Sequence, residues 1–191
     1  MKVDLIIAGF GGQGVLFAGQ VLAHAALDAD LHTTWYPSYG PEMRGGTANC
    51  TVVISSEPIG SPVVSRPLAA IVLNLPSLER YEPLVREGGL LIVNASLIDR
   101  EVERADLDVI HIPADDVAAE LGNARLTNMV LLGAYLSRLP QLSIEQVAET
   151  LGRVLPERHR HTLGINRAAL ARGAELAEEL LRPAEGASAS A

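Results

Sequence analysis

The feature that most constrains the fold is a glycine-rich hexapeptide near the amino terminus, GFGGQG at residues 9–14. It follows the apolar run of residues 3–8, which predicts a buried first strand, and it precedes residues 15–23, which predict a helix. A glycine-rich turn between a strand and a helix presents bare main-chain N–H groups at a helix N-terminus, where they can bind phosphate. The hexapeptide therefore predicts an α/β chain that holds a phosphorylated ligand or packs closely where one sits.

The rest of the chain continues the alternation of short apolar runs and helical patterns. Further strands are predicted within residues 31–36, 47–55, 69–73, 90–93 and 109–112. Helices are predicted at residues 77–86, 115–121, 128–139 and 166–182, and from Ser143, where Gln146 completes a capping box. This order predicts a three-layer α/β/α fold with a Rossmann-like parallel or mixed sheet and a helical C-terminal third.

Proline and glycine mark the segments outside these elements. Residues 37–46 contain enough of both to exclude a regular element, and we expect a loop at residues 39–47 to protrude from the sheet edge or the ligand crevice. Residues 183–191 are dominated by Ala, Ser and Gly, which is typical of a disordered tail. Residues 1–182 are therefore expected to form a single domain.

Charge and cysteine content exclude several function classes. The formal net charge is −8, and the longest basic run is only residues 158–161, so a nucleic-acid partner is not expected. The single cysteine, Cys50, excludes an internal disulfide and a cysteine-ligated zinc or iron–sulfur site within this chain. No signal peptide and no bilayer-spanning apolar run are found, which predicts a cytoplasmic protein without a membrane partner.

The hexapeptide also matches the dinucleotide fingerprint G-x-G-x-x-G, in the expected position between a strand and a helix. That fingerprint needs an acidic residue at the end of the second strand to bind ribose, and here the strand runs into Trp35, Tyr36 and Pro37. A freestanding NAD(P)- or FAD-binding oxidoreductase is therefore an alternative rather than the leading hypothesis. A second alternative is a purely structural subunit whose glycines only allow close packing.

Two segments together resemble a known family. GFGGQGV at residues 9–15 and SYGPEMRGGT at residues 38–47 are similar to the two signatures of the gamma subunit of 2-oxoacid:ferredoxin oxidoreductases. Residues 59–62, IGSP, match a weaker third motif, and the helix start at residues 128–134 is also similar. The resemblance covers roughly residues 3–173, nearly the whole chain.

The resemblance implies a function as part of a complex. Enzymes of this family decarboxylate a 2-oxoacid oxidatively, join the acyl group to coenzyme A and pass two electrons to ferredoxin. The resemblance implies that alpha and beta subunits, and a ferredoxin-like delta subunit in some members, hold thiamine diphosphate, magnesium and the iron–sulfur clusters. The gamma subunit is then expected to contribute to coenzyme A binding and assembly, and to be inactive alone.

The resemblance also points to particular residues, although none of them is catalytic and none forms a metal site. The residues expected to contact coenzyme A are Gly9, Gly11, Gly12, Gln13, Gly14, Tyr39, Arg44, Gly45, Gly46 and Thr47. Whether the second segment contacts coenzyme A or a neighbouring subunit is left open by the residues themselves.

Several other polar residues are interpreted mainly as structural. Asn74 and Asn94 end strands, and Asn128 either contacts a partner or caps the following helix. The histidines are expected in an edge or core position and in a solvated basic turn, and Cys50 is not expected to act as a nucleophile. The histidines concerned are His111, His159 and His161.

Overall fold

The computed structural model describes residues 1–38 and 47–181, and these residues build one six-stranded mixed sheet with helices on both faces. The strands are β1 (Lys2–Phe10), β2 (His32–Ser38), β3 (Thr47–Ser55), β4 (Ala69–Val72), β5 (Leu90–Asn94) and β6 (Asp108–Ile112). The helices are α1 (Val15–Asp28), α2 (Leu75–Tyr81), α3 (Ala114–Glu120), α4 (Thr127–Leu136), α5 (Ile144–Val154) and α6 (Leu163–Leu181). Short 3₁₀ helices lie at Glu82–Leu84, Ala124–Leu126 and Glu157–Thr162.

The sheet has the strand order β2-β3-β1-β4-β5-β6. β3 runs antiparallel to both β1 and β2, and β1, β4, β5 and β6 are parallel. The strand order changes direction at β1, because β3 and β2 lie on one side of it and β4, β5 and β6 lie on the other. In open α/β sheets the carboxyl ends of strands at such a reversal are where ligands bind, and the glycine hexapeptide begins at the carboxyl end of β1.

The predicted three-layer α/β/α fold is confirmed, and its two helical layers differ in thickness. Sheet residues such as Leu5 and Ile7 contact the larger layer, formed by α1, α3, α4, α5 and α6. Their neighbours Ile6 and Ala8 contact α2 and the segments around it. Because the central strands are covered on both faces, they are continuously apolar rather than alternating.

Several predicted boundaries are wrong. α1 continues to Asp28 rather than residue 23, and α2 spans Leu75–Tyr81 rather than residues 77–86. β2 continues through Pro37 to Ser38, because β2 is an edge strand and proline needs no ladder partner on its solvent side. α4 ends at Leu136 rather than residue 139, and α6 begins at Leu163 rather than residue 166. The capping box between Ser143 and Gln146 is confirmed, with the side-chain oxygen of each residue accepting the backbone N–H of the other.

The tightest helix contact joins α4 and α6 through glycines. An ideal Cβ on Gly133 would lie 2.0 Å from the Leu170 carbonyl oxygen, and one on Gly173 would lie 1.9 Å from that of Val130. Both distances are far below van der Waals contact, so the two helix backbones touch directly where side chains would otherwise separate them. This contact fixes the middle of α4 against the middle of α6.

Two of the sequence predictions fall outside the described residues, namely the loop at residues 39–46 and the tail at residues 183–191. Within the described ranges, no helix combines the length and the apolarity needed to cross a lipid bilayer.

Candidate nucleotide-binding cleft

The glycine hexapeptide forms a tight turn that requires glycine at two positions. Gly12 has φ of 94°, and Gly14 has φ of 74° and ψ of 18°, immediately before α1. Residues with a Cβ rarely adopt these positive φ angles, whereas glycine does so without steric cost. Gly11 and Gly12 are exposed, so the backbone of the turn is accessible to a ligand.

Gly9 and Gln13 shape this turn from within. The Phe10 N–H donates to Gln13 Oε1 at 2.6 Å, and the Gln13 N–H donates to the Phe10 carbonyl at 3.2 Å. Gly9 is buried, and a Cβ there would lie 2.7 Å from Gln13 Oε1 and 2.9 Å from Leu73 Cβ. Gly9 therefore allows close packing of the turn on β4, and the Gln13 side-chain oxygen supports the turn.

The N-terminus of α1 is left open by protein side chains. Its first residue follows Gly14, no side chain caps the helix, and no acidic residue stands in the first turn. The first N–H groups of a helix have no intrahelical partner, and together with the helix dipole they favour an anion by about 0.3–1 kcal/mol. The end of α1 is thus suited to a phosphate group.

Asn128, from the neighbouring helix α4, holds the turn in place. Its Nδ2 donates to the Gly14 carbonyl at 3.0 Å, and its Oδ1 accepts the Met129 N–H at 3.0 Å. Asn128 lies inside α4 rather than before it, so the predicted capping role is wrong. No signal in the local sequence could reveal this contact, because the two residues are 114 positions apart.

These elements enclose a cleft of about 630 Å³. This volume is within the range of about 300–1,000 Å³ that is typical of small-molecule sites. Residues at the N-terminal ends of three helices line the cleft together with Gly12; they are Gly14 before α1, Leu126 and Asn128 at α4, and Thr162 and Asn166 at α6. Because helix N-termini carry partial positive charge, their convergence makes the cleft attractive to anions.

One wall of the cleft is basic, and the sequence alone does not predict it. Four residues, which we call the basic wall, line the cleft: Arg125, Arg158, His159 and His161. Three of them lie in the 3₁₀ helix Glu157–Thr162, which was expected to be a solvated turn. The only sequence signal was that this segment contains the longest basic run of an acidic chain.

Most of the second predicted segment lies outside the described residues, namely Tyr39, Arg44, Gly45 and Gly46. Thr47, predicted to end the loop, is instead the first residue of β3. Thr47 pairs with Phe10, and Ser38 pairs with Asn49. Both ends of the segment therefore meet the sheet at the edge where the glycine turn begins.

The strand-ending asparagines have structural partners. Asn74 caps α2, with its Oδ1 accepting the Ser77 N–H at 2.9 Å. Asn94 Nδ2 donates to the Leu73 carbonyl at 3.3 Å and to Asp115 Oδ2 at 2.8 Å. These contacts agree with the structural interpretation of both residues.

The remaining candidates for chemistry are buried or isolated. Cys50 is completely buried beneath α1, where burial raises the pKa of its thiol to about 12. At neutral pH it is therefore a protonated, packed side chain rather than a nucleophile. Across residues 1–38 and 47–181, no group of three or more His, Cys, Asp or Glu side chains is arranged to hold a metal ion.

Comparison with known proteins supports the sequence resemblance. Residues 4–176 match the family model described as pyruvate ferredoxin/flavodoxin oxidoreductase. The chain is 45% identical over 136 residues to ketoisovalerate oxidoreductase subunit VorA of Methanothermobacter marburgensis, covering 71% of this chain and 28% of that relative. It is 33% identical over 183 residues to 2-oxoglutarate synthase subunit KorC of Methanocaldococcus jannaschii, covering 94% and 96% of the two chains.

The chain thus spans 28% of the length of the VorA relative but nearly all of the KorC relative. Among solved structures, the gamma subunit of a keto/oxoacid ferredoxin oxidoreductase from Geobacter sulfurreducens superposes with a TM-score of 0.79 at 26% identity, covering 93% of this chain and 99% of that one. A 2-oxoglutarate:ferredoxin oxidoreductase from Magnetococcus marinus, with 2-oxoglutarate, coenzyme A and succinyl-CoA bound, superposes with a TM-score of 0.83 at 25% identity. The match covers 95% of this chain and 32% of that one.

The extent of the family match, the full-length similarity to KorC and the superposition on a gamma subunit agree with one another. The chain belongs to the pyruvate ferredoxin/flavodoxin oxidoreductase family, and its resemblance to the gamma subunits of 2-oxoacid:ferredoxin oxidoreductases is confirmed.

Proposed function

We propose that this chain is the gamma subunit of a multi-subunit 2-oxoacid:ferredoxin oxidoreductase. Such an enzyme decarboxylates a 2-oxoacid oxidatively, transfers the acyl group to coenzyme A and passes two electrons to ferredoxin. The proposal is supported by the similarity to KorC along nearly the whole chain and by the superposition on a gamma subunit. The names of the relatives suggest 2-oxoisovalerate and 2-oxoglutarate as the first substrates to test.

Within the complex, the chain is proposed to bind part of coenzyme A. The observation that carries this role is the cleft that residues of the glycine turn and the basic wall line together. Coenzyme A carries a diphosphate and a separate ribose phosphate, so it needs several anion-binding groups in one place. The cleft offers them in a chain whose overall charge of −8 would otherwise repel such a ligand.

The residues of the turn would hold the diphosphate through their backbone. Gly12 lets the main chain approach a phosphate oxygen without a side chain intervening, and the N-terminus of α1 supplies N–H donors. Asn128 and Gln13 would act as positioning residues, because each fixes the turn through a hydrogen bond to its backbone. Tyr39, Arg44, Gly45, Gly46 and Thr47 are proposed to make a further contact to coenzyme A or to a partner subunit.

The redox and decarboxylation chemistry is assigned to other subunits. Thiamine diphosphate, magnesium and iron–sulfur clusters, held by the alpha and beta subunits and a ferredoxin-like delta subunit, would supply decarboxylation and electron transfer. Within the described residues of this chain, no group of three or more His, Cys, Asp or Glu side chains is arranged to hold a metal ion, and Cys50 is buried. We therefore expect a cytoplasmic hetero-oligomer in which the gamma subunit binds substrate and contributes to assembly.

The test is purification of the native complex through an affinity tag on this chain. We expect alpha and beta subunits to co-purify, and the complex to reduce ferredoxin when both a 2-oxoacid and coenzyme A are supplied. The isolated chain should show no such activity. Reduction by the isolated chain, or co-purification without 2-oxoacid oxidation, would contradict the assignment.

A further inference from the structure

The cleft contains two kinds of anion-binding group on separate elements. The glycine turn and the N-terminus of α1 offer neutral main-chain donors. The basic wall offers charged side chains on the 3₁₀ helix Glu157–Thr162 and on Ala124–Leu126. Among the described residues that line the cleft, none is Asp or Glu, so the charge of this wall is not neutralised inside the cleft.

The arginines of the wall are available to a ligand. Across the described part of the chain, neither Arg125 nor Arg158 forms an ion pair, whereas arginines elsewhere, such as Arg86 and Arg138, pair with aspartates. Both wall arginines are exposed, so a ligand would not have to displace a protein partner from them. Guanidinium groups bind phosphate through two parallel hydrogen bonds, which makes them selective for this group.

The histidines of the wall are arranged around Arg158. The Arg158 Nε–H donates to His159 Nε2 at 3.1 Å, and the ring centroids of His159 and His161 are 6.5 Å apart. Arg158 and His159 are thus in direct contact, and His161 lies beside His159 in the lining of the same cleft.

The charge of this wall matches a phosphate monoester better than a diphosphate. A monoester carries a charge of about −1.5 to −2 near neutral pH on three oxygens, and it gains most from charged donors. The bridging phosphates of a diphosphate are singly charged and suit the neutral donors of the turn. Resting on the function proposed above, we propose that the basic wall is a subsite for the ribose 3′-phosphate of coenzyme A and makes the cleft select coenzyme A over its dephosphorylated form.

The experiment measures calorimetric binding of coenzyme A and of 3′-dephospho-coenzyme A to the complex purified through this chain. Three complexes are compared: wild type, Arg158→Gln and Arg160→Gln. Arg160 is the matched control, because it is an exposed arginine of the same 3₁₀ helix that does not line the cleft. Arg125→Gln serves as a second variant if the Arg158→Gln complex does not assemble.

Wild type is expected to bind coenzyme A about tenfold more tightly than the dephosphorylated form, since hydrogen bonds between charged groups are the strong ones. Arg158→Gln should remove most of this preference and leave binding of dephospho-coenzyme A unchanged, and Arg160→Gln should leave both affinities unchanged. Equal binding of the two ligands by wild type, or an equal loss of both in Arg158→Gln, would overturn the subsite and leave the proposed function standing. Failure of the wild-type complex to bind either ligand would instead contradict coenzyme A binding by this cleft.

Discussion

Glycine serves opposite purposes in two regions of this molecule. At the contact between α4 and α6, Gly133 and Gly173 face backbone atoms about 2 Å from where a Cβ would stand. In the turn after β1, a Cβ on Gly12 would meet no atom within 4 Å, and glycine is required there by its φ of 94°. The first pair allows two helices to touch, whereas Gly12 leaves its backbone open to something that is not part of the chain.

The difference shows how a glycine required for packing can be told from one required by its backbone conformation. A packing glycine is surrounded, so its replacement changes the free energy of unfolding. An exposed glycine with positive φ is required by its backbone conformation and makes no contact that a side chain would disturb. Gly88 and Gly122 share these features with Gly12, and Gly12 differs from them because it lines the cleft proposed to bind coenzyme A.

The largest effect is expected at the helix contact. Gly173→Ala forces a Cβ into the Val130 carbonyl and should lower the free energy of unfolding by about 3 kcal/mol or prevent folding, as severe overpacking does. Gly164→Ala is the matched control in α6, because its Cβ would meet no atom within 4 Å, and it should gain up to about 1 kcal/mol from higher helix propensity. Urea denaturation of the full chain measures both, and equal stability of the two variants would refute the packing argument.

The next effect concerns binding at the exposed glycine. Gly12→Ala should lower stability by about 1 kcal/mol, because alanine is strained at positive φ, and it should raise the KM for coenzyme A of the complex about tenfold. Gly88→Ala has the same strain, with φ of 69° and open space around its Cβ, but lies before β5 and away from the cleft. It should lose the same stability and keep the wild-type KM, and a matching rise in KM would show that strain alone accounts for the Gly12 result.

A smaller effect is expected at the residue that supports the turn. Asn128→Ala removes the donor to the Gly14 carbonyl and should cost about 1 kcal/mol of stability. It should also weaken coenzyme A binding about threefold, because the turn loses a fixed geometry. Asn74→Ala removes the cap of α2 at a similar cost, and its coenzyme A affinity should be unchanged. Calorimetry measures the coenzyme A affinity of both variants, and urea titration measures their stability. Equal affinities of the two variants would contradict the positioning role of Asn128.

The smallest effect is expected at Cys50, which packs against α1. An ideal Cβ on Gly19 of α1 would lie 2.5 Å from Cys50 Sγ, so the helix backbone closely covers the thiol. Burial raises the pKa of this thiol to about 12. Since the thiolate is the reactive form, less than about one part in a thousand is ionised at pH 8, and the native chain should resist alkylation. Mass spectrometry after iodoacetamide treatment should show an unmodified native chain and a labelled denatured one. Rapid labelling of the native chain would mean that α1 does not shield Cys50 from solvent.

The sequence predicts the sheet well because strand signals are local. Most of the strands contain an apolar run, and β2 instead carries the strand-favouring residues 33–36, so these signals need no information from elsewhere in the chain. The direction of β3 remained open because an apolar run does not encode whether its neighbours are parallel. The extension of β2 through Pro37 was missed because the tolerance of proline depends on the edge position of that strand.

Only part of the cleft could be predicted from the sequence, because only the glycine turn is a local signal. The glycine turn is visible in six consecutive residues, whereas the basic wall comes from residues 125, 158, 159 and 161, far along the chain. Nothing near Asn128 indicates that its amide reaches Gly14. A site assembled from distant segments becomes apparent only once the packing of α4 against α6 brings these segments together.

The most direct test of the account is an experimental structure of the complex with coenzyme A bound. The account predicts that the diphosphate lies within hydrogen-bonding distance of main-chain N–H groups between Gly12 and Val15, in the cleft shared with Arg158. Coenzyme A bound elsewhere, with the glycine turn packed against a partner subunit or facing only solvent, would contradict it.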